Sequence, residues 1–273
     1  MVAFAIVHQL GVQTERAKRY QKASKNIFNN FSFFLENEDS MNKITYKTYY
    51  NTRLKEVYFH GKLTHPLYVM VTFERQTIYF KSYYFGLFSQ PRFFLDVPGA
   101  GSKGPDIELA IKKENEVIAF IIEKHKDDFS LETFKAAYAY YSVDLCELSE
   151  RGFRDYLYTF FWDDGSPYLG DLVKHGAGHI IAYNLVRDFK RNFQKERYDK
   201  LVRNAFDYAP PYLPLYGFMS EKKRWPELCL TMMEWQSIEI TLAFKDYLDK
   251  VYPDVDGLEL VKEVNALPYS KWA

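Results

Sequence analysis

The 273 residues carry 36 basic and 36 acidic side chains, so the net charge is zero and no global attraction to a polyanion exists. Hydrophobic residues make up 47%, which excludes a wholly disordered chain, and the 18% aromatic content means that rings supply much of the packing area. The charge is uneven: Met1 to Pro98 holds 13 Lys/Arg against 7 Asp/Glu, leaving 23 against 29 for the remainder. The front is basic and the back acidic.

Only Cys146 and Cys229 occur, far apart, which excludes a paired-cysteine metal site and argues against a disulfide framework. The opening MVAFAIVHQLGV lacks a basic leader and a small-residue cleavage site and is too short to span a membrane. A cytoplasmic protein without membrane association is expected.

Residues 1–40 read as a flexible or weakly helical extension ending in a polar ENEDS stretch, which leaves both Met1 and Met41 as candidate natural starts. Residues 41–98 read as a basic β-sheet module. Its runs KITYKTYY, KEVYFHG, PLYVMVTF and TIYFKSYYF, separated by NTR, GKLTHP and ERQ, predict a meander of three or four antiparallel strands. In the third run Leu67, Val69, Val71 and Phe73 alternate with Tyr68, Met70 and Thr72, giving one face to a core.

Phe85 to Gly104 is punctuated by Gly86, Pro91, Pro98, Gly99, Gly101 and Gly104 and reads as an interdomain linker. Residues 105–206 then read as a helical domain. Pro105 and Asp106 open a helix with Ile107, Ala110, Ile111, Ile118, Ile121 and Ile122 on one side; Ser130 and Ser149 are placed to cap two more. A helix of about 30 residues is predicted after Pro167, through Leu172, Ile180, Tyr183 and Phe189. After a break at Pro210, Pro211 and Pro214, residues 215–273 form a C-terminal helical segment, with strong periodicity from Pro226 to Val251. The fold class is α+β, a small antiparallel β-meander followed by a mainly α-helical domain.

Catalytic signatures are weak. His175 and His179 have a spacing that a zinc site uses, but HGAGH lacks the glutamate of the zinc-protease motif and two glycines weaken the helix. VPGAGSKG misses the phosphate-loop spacing, and Asp106 with Glu123 and Lys124 only faintly matches a metal-dependent nuclease core. No GxSxG elbow occurs. No catalytic residue, metal or organic cofactor is assigned.

The basic strands carry more. Lys43, Lys47, Arg53, Lys55, Lys62, Arg75 and Lys81 accumulate on a short sheet, interleaved with Tyr46, Tyr49, Tyr50, Tyr79 and Tyr83, a pattern suited to neutralising phosphates and entering a groove. The competing reading is a sheet edge guarded by positive charge. Further on, Tyr183, Arg187, Lys190, Arg191 and Gln194 recur at spacings of three and four on one helix face, suited to a phosphate backbone or simply to solvent.

KITYKTYYN through HPLYVMVTFERQTIYFKS resembles the arm-type DNA-binding domain of bacterial mobile-element tyrosine recombinases and phage-type integrases, a small sheet that reads accessory sites. IELAIKKENEVIAFIIEKHKDDFSLETFK resembles their connecting helix. FRDYLYTFFWDDGSPYLGDLVKHGAGHIIAYNLVRDFKRNF is similar to their SAM-like core-binding domain, with Tyr183, Arg187, Lys190 and Arg191 matching its basic helix. The family's cleavage chemistry needs an Arg, a Lys, a His-x-x-Arg element and a nucleophilic Tyr in a large C-terminal domain. Residues 197–273 are too few for it, and no His follows His179. The resemblance therefore implies a protein that binds double-stranded DNA without recombinase activity of its own. The alternative is a protein-interaction module that uses an aromatic-rich surface and the C-terminal helix.

Overall fold

The computed structural model describes residues 43–97, 101–223 and 227–270; the extension expected over residues 1–40 lies outside them. Strand β1 (Thr45–Tyr50) pairs antiparallel with β4 (Leu67–Phe73), and β4 with β5 (Gln76–Lys81). Between β1 and β4 the chain makes an excursion, a separate hairpin of β2 (Val57–Phe59) and β3 (Lys62–Thr64). The main sheet therefore runs β1-β4-β5, which corrects a simple succession of neighbours. The hairpin stands apart because Phe59 is buried and stacks on Phe85, with ring centroids 5.2 Å apart.

The alternation read from β4 holds: Leu67, Val69 and Val71 are buried, while Tyr68, Met70 and Thr72 are only partly covered. The strand read through Phe85 stops at Lys81. Ser82 there caps a short helix, α1 (Tyr83–Phe88), its hydroxyl accepting the Phe85 N–H. The linker expected from Phe85 to Gly104 is overturned at its start, while Pro98 and Gly99 lie outside the described residues. Phe85, Leu87, Phe88 and Phe93 are buried, and β6 (Leu95–Val97) pairs with β7 (Gly101–Lys103). Glycine and proline mark tight turns as readily as linkers, and here the rings between them fill a core.

Asp106 caps α2 (Ile107–Lys124) and Ser130 caps α3 (Leu131–Tyr141), both as read. These helices cover the inner face of the sheet, where Val117, Ile118, Ile121 and Phe134 join Val69 and Val71 in one core. The described residues on both sides of the boundary expected between 98 and 105 share one core, formed by the sheet and the first three helices; residues 98–100 lie outside the described residues.

The second core is built around α4 (Leu145–Asp163), with α5 (Pro167–His175), α6 (Ala182–Asn192), α7 (Lys195–Tyr208), α8 (Tyr212–Lys222), α9 (Met232–Trp235), α10 (Ile238–Val251) and α11 (Gly257–Ser270). Asp144, not Ser149, caps α4, and Ser149 lies inside it with its hydroxyl donating to the Leu145 carbonyl. The long helix expected after Pro167 divides at a 3-10 turn, Gly176–Gly178. Residues 206 and 215, expected to bound segments, both fall within helices of this core. Residues 229–231 stitch the two cores together: Cys229 lies in the first and Leu230 in the second, while the Leu145 N–H bonds Leu230 O and the Met232 N–H bonds Val143 O, each at 2.9 Å.

Candidate nucleic-acid interface

Successive strand residues point to opposite faces, so pairing register decides which side chains become neighbours. With the inner face buried, three rows cross the outer one. Thr45, Thr72 and Thr77 form the first; Lys47, Met70 and Tyr79 the second; Tyr49, Tyr68 and Lys81 the third. These nine side chains include two cations and no carboxylate. Three tyrosines and a methionine supply flat or pliable apolar contact between the charges, and the threonine row supplies hydroxyls, of which Thr72 and Thr77 bond each other at 2.9 Å.

The remaining front cations flank this face. Lys43 precedes β1, Arg53 and Lys55 lie in the connection to the hairpin, and Lys62 begins β3; all are exposed. Arg75 sits in the two-residue turn between β4 and β5, where Glu74 and Arg75 have φ of 48° and 65°. Among the described residues, Lys47, Arg53, Lys55, Lys62, Arg75 and Lys81 form no ion pair; the local pair is His65 with Glu56.

Of the five tyrosines read as interleaved, only Tyr49 and Tyr79 face outward. Tyr46 shares the inner parity and is partly buried, which raises its pKa; Tyr50 has the same parity but, at the end of β1, is exposed. Tyr83 lies on α1, where its hydroxyl donates to Glu147 and accepts the Asp144 N–H. Tyr68 and Met70 were missed as site residues, although their alternation with Leu67, Val69 and Val71 already placed them on the outer face.

The second group divides. Arg187, Lys190 and Arg191 are exposed on α6, with Arg191 3.7 Å from Asp188. Tyr183 is corrected: its ring stacks on Tyr216 at 4.8 Å and is half-buried, which raises its pKa, so it packs the helix instead of presenting it. Helix α6 packs on α4, α7 and α8 in the second core. The two groups of cations belong to different cores and share no element.

His175 ends α5 and His179 follows the 3-10 turn, so both are exposed but no continuous helix aligns them. Asp106 and Glu123 stand at opposite ends of α2. Among the described residues no group of three His, Cys, Asp or Glu side chains is placed to hold a metal ion, and no helix is long and apolar enough to cross a membrane. No protein-family model, curated protein or solved structure matches this chain.

Proposed function

We propose that the protein binds double-stranded DNA through the outer face of its three-stranded sheet, as the resemblance to arm-type integrase domains implies. What supports this reading is the carboxylate-free surface in which Lys47 and Lys81 flank Tyr49, Tyr68, Met70 and Tyr79. Lysines at the margins would neutralise phosphates, and the central side chains would contact base edges, as β-sheet readers do in a groove. The flanking Lys43, Arg53, Lys55, Lys62 and Arg75 extend the footprint, while Arg187, Lys190 and Arg191 form a separate cationic patch in the second core.

Titration with a fluorescent duplex at several salt concentrations tests the proposal. Lys47→Ala and Lys81→Ala should each weaken binding and lower the slope of log K against log salt by about 1. Tyr79→Ala should weaken binding with that slope unchanged. No binding at low salt, or binding indifferent to salt, would refute it.

A second reading has its own observation. On α10, Ile238 and Leu242 lie one turn apart at 77% and 57% exposed, beside Glu239 and Asp246. This favours docking of a protein partner on the C-terminal helices. Copurification that survives nuclease treatment and is lost in Leu242→Glu is its expected signature.

A further inference from the structure

Among the described residues, strand β5 is an edge of the sheet. The Ser82 N–H donates to Leu67 O at 3.0 Å, which sets the even-numbered residues of this strand toward β4. Hydrogen-bonded and non-bonded pairs alternate in an antiparallel ladder, so the N–H and C=O groups of Thr77, Tyr79 and Lys81 point away from the sheet. A row of unpaired backbone groups is a template for another strand.

Alongside this edge lies a cavity of about 590 Å³ between β5, α1 and α3. Its walls are apolar where Ile78, Phe80, Leu87, Ala139 and Val143 meet. Lys81 from the strand and Lys135 from the helix, both exposed, also line it, and neither forms an ion pair among the described residues. The acid in the lining, Glu147, is already engaged: Tyr83 Oη donates to one oxygen at 2.9 Å and Gln90 Nε2 to the other at 2.8 Å. A groove between an edge strand and a helix, with an apolar cavity and cationic lining residues, has the elements of strand-addition peptide recognition: backbone bonds give affinity and the cavity selects a side chain.

We propose that this groove binds an extended peptide segment of a partner protein by strand addition to β5, seating one large apolar side chain in the cavity and flanking carboxylates on Lys81 and Lys135. The volume falls within the ~300–1,000 Å³ span of ligand sites and accommodates such a side chain. The site adjoins the outer face of the sheet and shares Tyr79 and Lys81 with it, but extends beyond it, since Lys135, Ala139 and Val143 come from the α3 side of the molecule.

Selection from a random dodecapeptide phage library against the full chain tests the proposal. Enriched peptides should carry one large apolar residue next to Asp or Glu, and binding should slow amide exchange at Thr77, Tyr79 and Lys81. Two variants localise the contact. A Cβ on Gly86, which lines the cavity, meets nothing within 4 Å, so Gly86→Phe starts a bulky side chain from open space at the groove. Lys135→Glu inverts the charge on an exposed helix position. Each should weaken the best peptide about tenfold or more in fluorescence anisotropy, with the thermal midpoint of Lys135→Glu unchanged. No enrichment, enrichment of acidic peptides lacking an apolar residue, equal binding to both variants, or binding without protection of β5 would overturn it. Lys47→Ala reports on the outer face alone and Lys135→Glu on the groove, so the two proposals fail separately.

Discussion

Arg92 and Glu150 meet at 2.6 Å where the two cores join, with side chains 7% and 2% exposed. Arg92 comes from the turn that packs under the sheet, and Glu150 from the central helix of the second core. The other oxygen of Glu150 accepts from Arg154 and from the Ala182 N–H at 2.8 Å, and Arg154 donates onward to the carbonyls of Val173 and Ile180. One carboxylate thus organises two guanidinium groups and the start of α6.

Removing that carboxylate should be severe. Glu150→Ala strands Arg92 and Arg154 in a sealed site, and a loss of about 3–5 kcal/mol is expected. Urea unfolding followed by circular dichroism measures it. If the junction couples the cores, the variant should also unfold in two resolved steps.

Two other buried acids give the protein a pH profile. Burial pushes Glu114 from its ordinary 4.5 up to about 7, even though Ser82, Tyr138 and the Tyr84 N–H donate to it. Burial likewise lifts Asp144 from 3.8 to about 7, against the N–H groups of Leu230 and Cys146. A carboxyl raised on folding binds more protons in the folded state, so its contribution is full below the unfolded value and is lost as pH rises through the folded one. Stability should therefore fall between pH 4.5 and 7, by on the order of 3 kcal/mol for Glu114. Glu114→Gln should flatten that slope in urea titrations run across this range, and a slope that stays unchanged would contradict the assignment.

Gly217 lies on α8 where it passes Tyr247 of α10, and a Cβ there would collide with the Tyr247 hydroxyl. Gly217→Ala is expected to cost about 1–3 kcal/mol. Because the nearest obstacle is the Tyr247 hydroxyl, with the Tyr183 hydroxyl farther off at 3.3 Å, Tyr247→Phe in the same chain should restore part of the loss, which a double-mutant cycle in urea reads directly.

The β4–β5 turn is a place where stability and binding should separate. Glu74 and Arg75 both hold left-handed backbone, a conformation that costs a side-chain-bearing residue about 1–2 kcal/mol. Arg75→Gly should raise the thermal midpoint by a few degrees, whereas under the proposed DNA-binding function duplex affinity should fall through loss of a flanking cation.

Much of the local structure was legible in the chain. Period-two alternation in β4 named its buried and open sides, and the Asp106 and Ser130 caps announced α2 and α3, because alternation and capping depend only on near neighbours. Where local signals were ambiguous the reading failed. Ser149 has a capping side chain but sits on a buried helix face, and Gly86 and Pro91 punctuate the packed rings of Phe85, Phe88 and Phe93, not a tether.

By itself, the sequence determined an α+β protein with a basic, tyrosine-rich front and the set of cations on it. Only the tertiary structure decided which of them are neighbours. The row Lys47, Met70 and Tyr79 exists because β1 bypasses the hairpin and pairs with β4, a register set by burial of Leu67, Val69 and Val71 against α2 and α3. The same long-range packing sent Tyr46 and Tyr183 into or against their cores and, among the described residues, placed β5 at the sheet edge beside the cavity. Such placements arise from contacts distant along the chain, to which residue spacing is blind.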